Sequence, residues 1–337
     1  MSADQLTPDV LVQPSRRASR IVATARLVAV RGAYERFKAD EPDALHQLRV
    51  SLRRLRSWLR AYRPELEDTT RRRTLRRLRK LVRATNGARD AEVWAAWIET
   101  QTESPPKART GHRYIVAQLT DQRDRAREDA GDRLKADLPP VLDALADELS
   151  GYWLHVSIDE TAAEETMAAT TAELLRGHMR KLRRRLQRID SADDLDAIHA
   201  ARIAAKALRY LLNALGDFAA ANTTATQLSE LQDMLGLVHD LAPLVDRMLE
   251  EIATIAADEA RWRTSQALGL GAEHKDAPAP ARIKPGLLDL ATRARREVDG
   301  AFERLRGTWT DMQLDVVAST VDELAETIQA SSYDESG

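Results

Sequence analysis

His46, Arg49, Arg53, Arg56 and Arg60 follow one another at intervals of three, four, three and four residues. An α-helix turns roughly 100° per residue, so a helix would present all five within an arc of about 80°. The pattern returns at His199, Arg202, Lys206 and Arg209, with Asn213 in the fifth place. Guanidinium groups offer forked, charge-assisted donors that fit the oxygens of phosphates and carboxylates. Lysine adds a point charge, and histidine adds a donor that depends on pH. The chemistry open to such a stripe is the holding of an anion. Like charges three and four residues apart weaken a helix by a few tenths of a kcal/mol per pair. A helix shaped by stability alone would mix its signs, so the stripe points to an anion outside the helix.

Further rows adjoin the stripes. Arg72, Arg76, Arg79 and Arg83 fall within about 60° of one another on a helix. In the second half of the chain Thr226, Ser229 and Asp233 stand where Arg76, Arg79 and Arg83 stand in the first. That half instead offers Arg176, Arg180 and Arg183 on one face. Arg89 aligns with His239, which keeps a cation there but makes the contact pH-dependent.

The whole chain of 337 residues has a formal charge of only -2. This total hides a separation of charge. Residues 46–89 carry 15 basic and 3 acidic side chains, and residues 176–209 carry 10 and 4. The remainder is acidic. Two basic blocks in an acidic background suit a polyanion partner better than the total suggests. Absence of cysteine excludes disulfides, thiolate metal sites and a cysteine nucleophile. The N-terminus lacks the pattern of a secretory signal, and no apolar run is long enough to span a membrane. These features predict a soluble, cytoplasmic protein.

The elements that must position the stripes are helices. Apolar spacing is helical nearly throughout, and low Gly and Pro with abundant Ala and Leu agree. The pattern predicts helices over 16–38, 43–62, 70–86, 90–100, 110–134, 139–153, 164–188, 195–216, 224–236, 240–266, 285–306 and 310–330. Breaks are expected at Pro139-Pro140 and Gly236 among others. The stretch DALHQLRVSLRRLRSWL from Asp43 matches DAIHAARIAAKALRYLL from Asp196, and LRKLVRATNGARD (78–90) matches LSELQDMLGLVHD (228–240). Asp43 and Asp196 are expected as N-caps, which puts each histidine in a first turn. Asn86 and Gly236 are expected to end helices in the left-handed conformation, and Asp90 and Asp240 to start the next. The chain therefore divides into halves at 16–157 and 162–332, with 1–15 and 333–337 as flexible termini. The fold class expected is all-α: two pseudo-symmetric helical bundles around a basic groove or pore.

His-x-x-Arg-x-x-x-(Arg/Lys)-x-x-Arg, present twice and followed each time by Leu-x-x-Leu and an Asn or Gly four residues before Asp, resembles the CHAD family, the conserved-histidine α-helical domain. RIAAKALRYLL at 202–212 is particularly similar to its second-repeat signature. The resemblance implies a basic central groove, binding of inorganic polyphosphate, and targeting to polyphosphate granules. By position it implies that His46, Arg49, Arg53, Arg56, His199, Arg202, Lys206 and Arg209 bind polyphosphate. Arg60, Arg72, Arg76, Arg79, Arg83, Arg89, Arg176, Arg180, Arg183 and His239 are candidate additional contacts. Some relatives carry a triphosphate-tunnel domain, but its Glu-x-Glu-x-Lys signature is absent: Glu65-Leu66-Glu67 lacks the lysine.

Several residues read more simply. Trp58, Trp94, Trp97 and Trp153 occupy apolar helical positions and fit a core. His112, His155, His178 and His274 have no partner motif and fit ordinary structural roles. No phosphate-binding Gly-rich loop, metal-ligand spacing or catalytic carboxylate pair accompanies the stripes, so no cofactor, metal or catalytic residue is expected and the protein is not read as an enzyme. Aromatics make up 4% of residues and none lies within the stripes, which serves nucleic-acid stacking poorly. A nucleic-acid binder and a metal-dependent polyphosphatase remain the competing functions. A granule scaffold, whose acidic remainder would recruit granule proteins, is compatible with polyphosphate binding.

Overall fold

The computed structural model describes residues 5–101, 105–150, 165–269 and 281–330, and these are helical almost throughout. The first half contains α1 (Pro8–Leu11), α2 (Ser15–Lys38), α3 (Ala44–Ala61), α4 (Arg63–Leu66), α5 (Arg72–Ala84), α6 (Asn86–Thr100) and α7 (Arg109–Ser150). The second contains α8 (Met167–Leu186), α9 (Leu195–Leu212), α10 (Ala219–Ala267), α11 (Lys284–Thr308) and α12 (Asp311–Ala330). The all-α class expected from the apolar period is what the chain adopts. No helix among the described residues is long and apolar enough to cross a membrane.

Each helix turns an apolar stripe inward. On α3 Leu48, Leu52, Leu55, Trp58 and Leu59 are buried, and on α9 Ile198, Ala201, Ala205, Leu208 and Leu212 are. These stripes join one cluster of buried side chains that runs through both halves, from Leu6 to Ile328. In the first half α3 packs on α2 and α5, and α7 packs on α5 and α6. In the second, α9 lies between α8 and α10, while α11 packs on α10 and α12 on α8. The helices that carry the two stripes, α3 and α9, pack directly on one another.

Two expected breaks are absent. α7 runs through Pro139 and Pro140, and α10 runs through Gly236 and Pro243. A proline inside a helix forfeits one backbone hydrogen bond, and a glycine costs roughly 1 kcal/mol. Packing outweighs both. Leu134, Leu138, Val141, Leu142 and Leu145 continue one buried stripe across the proline pair, and Leu231, Leu235, Val238, Leu241 and Leu244 do so across Gly236.

The helix ends also differ from expectation. Neither Asn86 nor Gly236 is left-handed. Asp90 lies inside α6 and Asp240 inside α10, so neither starts a helix. Asp43 does precede α3, but in the left-handed conformation (φ 57°) and without a side-chain cap. Asp196 is the second residue of α9; the residue before that helix is Asp194, whose carboxylate accepts from the amides of Asp190 and Ser191 instead. His46 is thus in a first turn, whereas His199, the fifth residue of α9, lies beyond it.

Residues 5–15, expected within a flexible terminus, are built into the fold. Leu6 and Leu11 are buried. The Leu6 amide donates to the Ala214 carbonyl at 2.6 Å, Met167 N to Gln13 O at 2.8 Å, and Ser15 N to Glu165 O at 2.9 Å. The start of α2 is thereby clamped to the start of α8. Inside, the buried Tyr62 hydroxyl meets the Thr171 hydroxyl at 2.9 Å. At the far side α7 and α11 cross where Gly111 meets Gly286: a Cβ on Gly111 would stand 2.2 Å from the Ile283 carbonyl oxygen.

The tryptophans expected in the core divide. Trp58 is buried, with its indole N–H on the Ser19 carbonyl. Trp94 and Trp97 are only half-buried and bridge the halves. Trp94 donates to the Asp240 carbonyl at 2.6 Å and Trp97 to the Glu297 carboxylate at 2.9 Å. Trp153, His155 and His274 lie outside the described residues, as does the side chain of Arg89.

Candidate anion-binding site

The face of α3 turned away from its buried leucines carries the first stripe as the spacing requires. His46 and Arg60 are exposed, and Arg49, Arg53 and Arg56 are half-buried. Arg49 is the deepest: only 9% of its side chain is accessible, and its Nη1 stands 3.7 Å from Glu92 Oε2 of α6. Its counterpart on α9 repeats the arrangement. Arg202 is 13% accessible, with Nη2 at 3.6 Å from Asp240 Oδ2 of α10. No stripe position itself is acidic, and each deep arginine finds a carboxylate on another helix. Glu92 has no motif of its own in the sequence, and Asp240 reads there as a helix start.

The two halves differ at the next position. Arg56 has Arg60, Arg79 and Arg83 close by. Burial first, then those three cations, push its guanidinium below the ordinary arginine value. Arg79 and Arg83 come from α5, so the second row predicted for the first half does meet the stripe. Arg209, which aligns with Arg56, instead donates through Nη1 to Ser229 Oγ at 2.9 Å. Ser229 aligns with Arg79. Two cations that face each other in one half are replaced by a hydrogen bond in the other, which is the physical content of the missing row.

Among the described residues no carboxylate is within ion-pair distance of Arg53, Arg56, Arg60, Arg76, Arg79 or Arg83. Arg72 and Arg76 are exposed further along α5, in the same helical row as Arg79 and Arg83. The positive field reaches the second half through α8. His178, which the sequence gives no partner motif, is held near pKa 4 by burial, then by Lys181, then by Arg60. It is therefore neutral at pH 7. Helical spacing does not single out Lys181, because it lies off the face shared by Arg176, Arg180 and Arg183.

That face is largely committed elsewhere. Arg176 reaches Glu173 at 3.2 Å, Asp322 at 3.7 Å and the Gln329 amide oxygen, and Arg183 reaches Asp315 at 2.7 Å. Asp315, Asp322 and Gln329 belong to α12, which covers this side of α8. Arg180 is exposed. Arg183→Ala should leave anion affinity within about twofold, since its charge is already paired. It should lower stability by up to about 1 kcal/mol, the range for a partly exposed ion pair, read from a urea midpoint.

The second stripe begins with a chain of polar contacts. His199 Nδ1 and His239 Nε2 are 2.8 Å apart, and His239 Nδ1 is 2.9 Å from Asp240 Oδ1. The two rings stack with centroids 4.8 Å apart. Burial, then His239, Arg202 and Lys206, push His199 below the ordinary histidine value, with Asp196 opposing them. His239, expected only as a replacement for a cation, is thus the residue that holds His199. His112, placed among ordinary histidines, pairs with Asp289 at 3.1 Å far from the stripes in sequence. Asp289 and Arg293 line a hollow on α11 with Pro285, Leu288, Thr292 and Arg296.

A set of cations on α3 and α5, continued on α8 and α9, can hold an extended anion along two helices that touch. Comparison with known proteins places the chain in a family. The sequence matches the model of the CHAD domain over residues 21–249, a span that includes both stripes. No curated protein matches the sequence. Among solved structures, the chain is similar to the crystal structure of the CHAD domain from the plant Ricinus communis, with a TM-score of 0.60 and 17% identity. That likeness covers 95% of this chain and 93% of the other. At this identity it speaks for the fold alone. The family match extends over more than half of the sequence and contains both copies of the histidine–arginine motif, so the chain belongs to the CHAD domain family.

Proposed function

We propose that the protein binds inorganic polyphosphate through the α3 and α9 stripes without acting on it chemically. The observation that carries this reading is Arg56 with Arg60, Arg79 and Arg83 close to it, and no carboxylate of the described residues within ion-pair distance of these four. Such a group raises the free energy of the unliganded protein, and a bound polyanion relieves it. Polyphosphate presents about one charge per residue and no bases, so it asks for dense cations and no stacking surface. From His46 to Arg56 the stripe advances about 15 Å, enough for several phosphates. The carboxylates of Glu92 and Asp240 face arginines of the stripes. That engagement favours binding over metal-assisted hydrolysis. The half-buried Trp94 and Trp97 direct their indole N–H groups to protein acceptors, which favours polyphosphate over nucleic acid.

The test is binding of labelled long-chain polyphosphate from 50 to 300 mM salt, with and without excess RNA. Over that range the Debye length falls from about 14 to about 6 Å. The expected result is tight binding that resists RNA and falls steeply with salt as counterions are released. Displacement by RNA would transfer the site to nucleic acid. Release of phosphate in the presence of Mg²⁺ or Mn²⁺ would make the protein a hydrolase instead.

A further inference from the structure

The polar chain at the start of the second stripe restricts how that stripe can meet an anion. Asp240 is a carboxylate and only accepts hydrogen bonds. His239 must therefore carry its proton on Nδ1 to make the 2.9 Å contact. In a neutral ring this leaves His239 Nε2 as an acceptor. The donor in the 2.8 Å contact between the rings is then His199 Nδ1–H. A neutral His199 so engaged has a bare Nε2, whose lone pair repels a phosphate oxygen. Adding one proton changes this, whichever ring takes it. On His199 it appears directly at Nε2. On His239 it reverses the inter-ring bond, and His199 shifts its own hydrogen to Nε2.

We propose that His199 engages a phosphate oxygen only after the His199–His239 pair has taken up one proton, with His239 and Asp240 as the positioning residues that impose this rule. The inference rests on the binding reading above and adds to it a proton linkage specific to this chain, because the first stripe has Arg89 where the second has His239. The charged and titratable groups acting on His199 are His239 from α10 and Asp196, Arg202 and Lys206 from its own helix. Among the described residues none on α3 or α8, the other helices packed on α9, contributes. Burial and the cations disfavour the charged form of His199 in the unliganded protein, and a bound polyanion favours it. The sign follows: the protonated pair is the binding form, so this contribution is present at low pH and lost as pH rises. The window runs upward from the depressed value of unliganded His199 to its value in the complex. Within it, affinity falls about tenfold per pH unit, the slope of one linked proton.

The experiment has two arms. The first is NMR of protein with ¹⁵N-labelled histidine rings, assigned with His199→Gln and His239→Ala. In unliganded protein at pH 7.5, His199 Nε2 is expected to resonate as a bare nitrogen and His239 Nδ1 as N–H. Finding Nε2–H on a neutral His199 overturns the proposal. The second arm is calorimetry of long-chain polyphosphate binding in buffers of differing ionisation heat. Wild type should take up close to one proton more than His239→Ala, once circular dichroism has shown the variant folded. Protons taken up elsewhere in the protein are common to both and cancel. Equal uptake in the two proteins overturns the proposal while leaving polyphosphate binding intact. If polyphosphate does not bind at all, the proposed function fails and the inference that rests on it fails with it.

Discussion

Polyphosphate affinity should drop by about a thousandfold or more in Arg56→Ala/Arg60→Ala/Arg79→Ala/Arg83→Ala. Each charge-assisted hydrogen bond contributes roughly 1.5–3 kcal/mol, so losing three of four such bonds reaches the roughly 4 kcal/mol that a thousandfold represents. The slope of log affinity against log salt should shrink by about 0.7 for each phosphate that the variant no longer neutralises, by analogy with single-stranded nucleic acid. The control is stability. No carboxylate among the described residues loses an ion-pair partner in this variant, and the repulsion felt by Arg56 disappears. Its urea midpoint should match or exceed that of wild type. Arg202→Ala should behave in the opposite way, because it deprives the half-buried Asp240 of a guanidinium at 3.6 Å and weakens the fold as well as the site. A quadruple variant that binds within threefold of wild type would remove the α3–α5 group from the binding reading.

The contrast between these variants shows what was legible in the sequence. Helical spacing alone groups His46, Arg49, Arg53, Arg56 and Arg60 on one face, because 3.6 residues per turn is a local property. It also exposes the internal repeat, since both copies obey the same period. It does not reveal which cations are neutralised, because their partners come from other helices. Glu92 sits 43 residues from Arg49 and Asp240 sits 38 from Arg202. The replacement of Arg79 by Ser229 is visible in an alignment of the halves, but its meaning appears only when Arg209 is seen donating to it. Arg176 and Arg183 look equivalent to the stripe cations in sequence and differ because α12 supplies Asp322 and Asp315 to them, with Glu173 of α8 adding to Arg176. Helix boundaries failed for a related reason. Pro139-Pro140 and Gly236 are breakers by local propensity, and long-range burial of the flanking leucines overrides them.

Gly111→Ala is expected to cost about 3 kcal/mol or more, the upper part of the range for forced overpacking. The added methyl would meet the Ile283 carbonyl oxygen at 2.2 Å and Gly286 Cα at 2.7 Å. Both are backbone atoms, so no side-chain rotation relieves the clash and α7 must separate from α11. Gly286→Ala should cost a similar amount, since its methyl would stand 2.2 Å from the Ala108 carbonyl oxygen. Gly177→Ala on α8 is the reference, with open space around the new methyl. It should be neutral or stabilise by up to about 1 kcal/mol through helix propensity. Urea unfolding of the three proteins checks the ordering, and a Gly111→Ala effect below about 1 kcal/mol would mean that the crossing is looser than this geometry.

The clamp between the first residues and the second half also bears on how the chain comes together during synthesis. Leu6 is buried, and its amide is bonded to Ala214, some two hundred residues later. At 5–20 residues per second, a nascent N-terminal segment waits on the order of 10–40 s for that partner to be made. Through this interval Leu6 and the Gln13–Ser15 backbone lack their partners in the second half. Contacts of such long sequence separation also close slowly, because loop entropy must be overcome before they are rewarded. The closing of the N-terminal segment is thus a late event in assembly. A chain cut between the halves would lack the partner that this segment needs, and the first half alone would present Leu6 and Leu11 to chaperones or to other copies of itself.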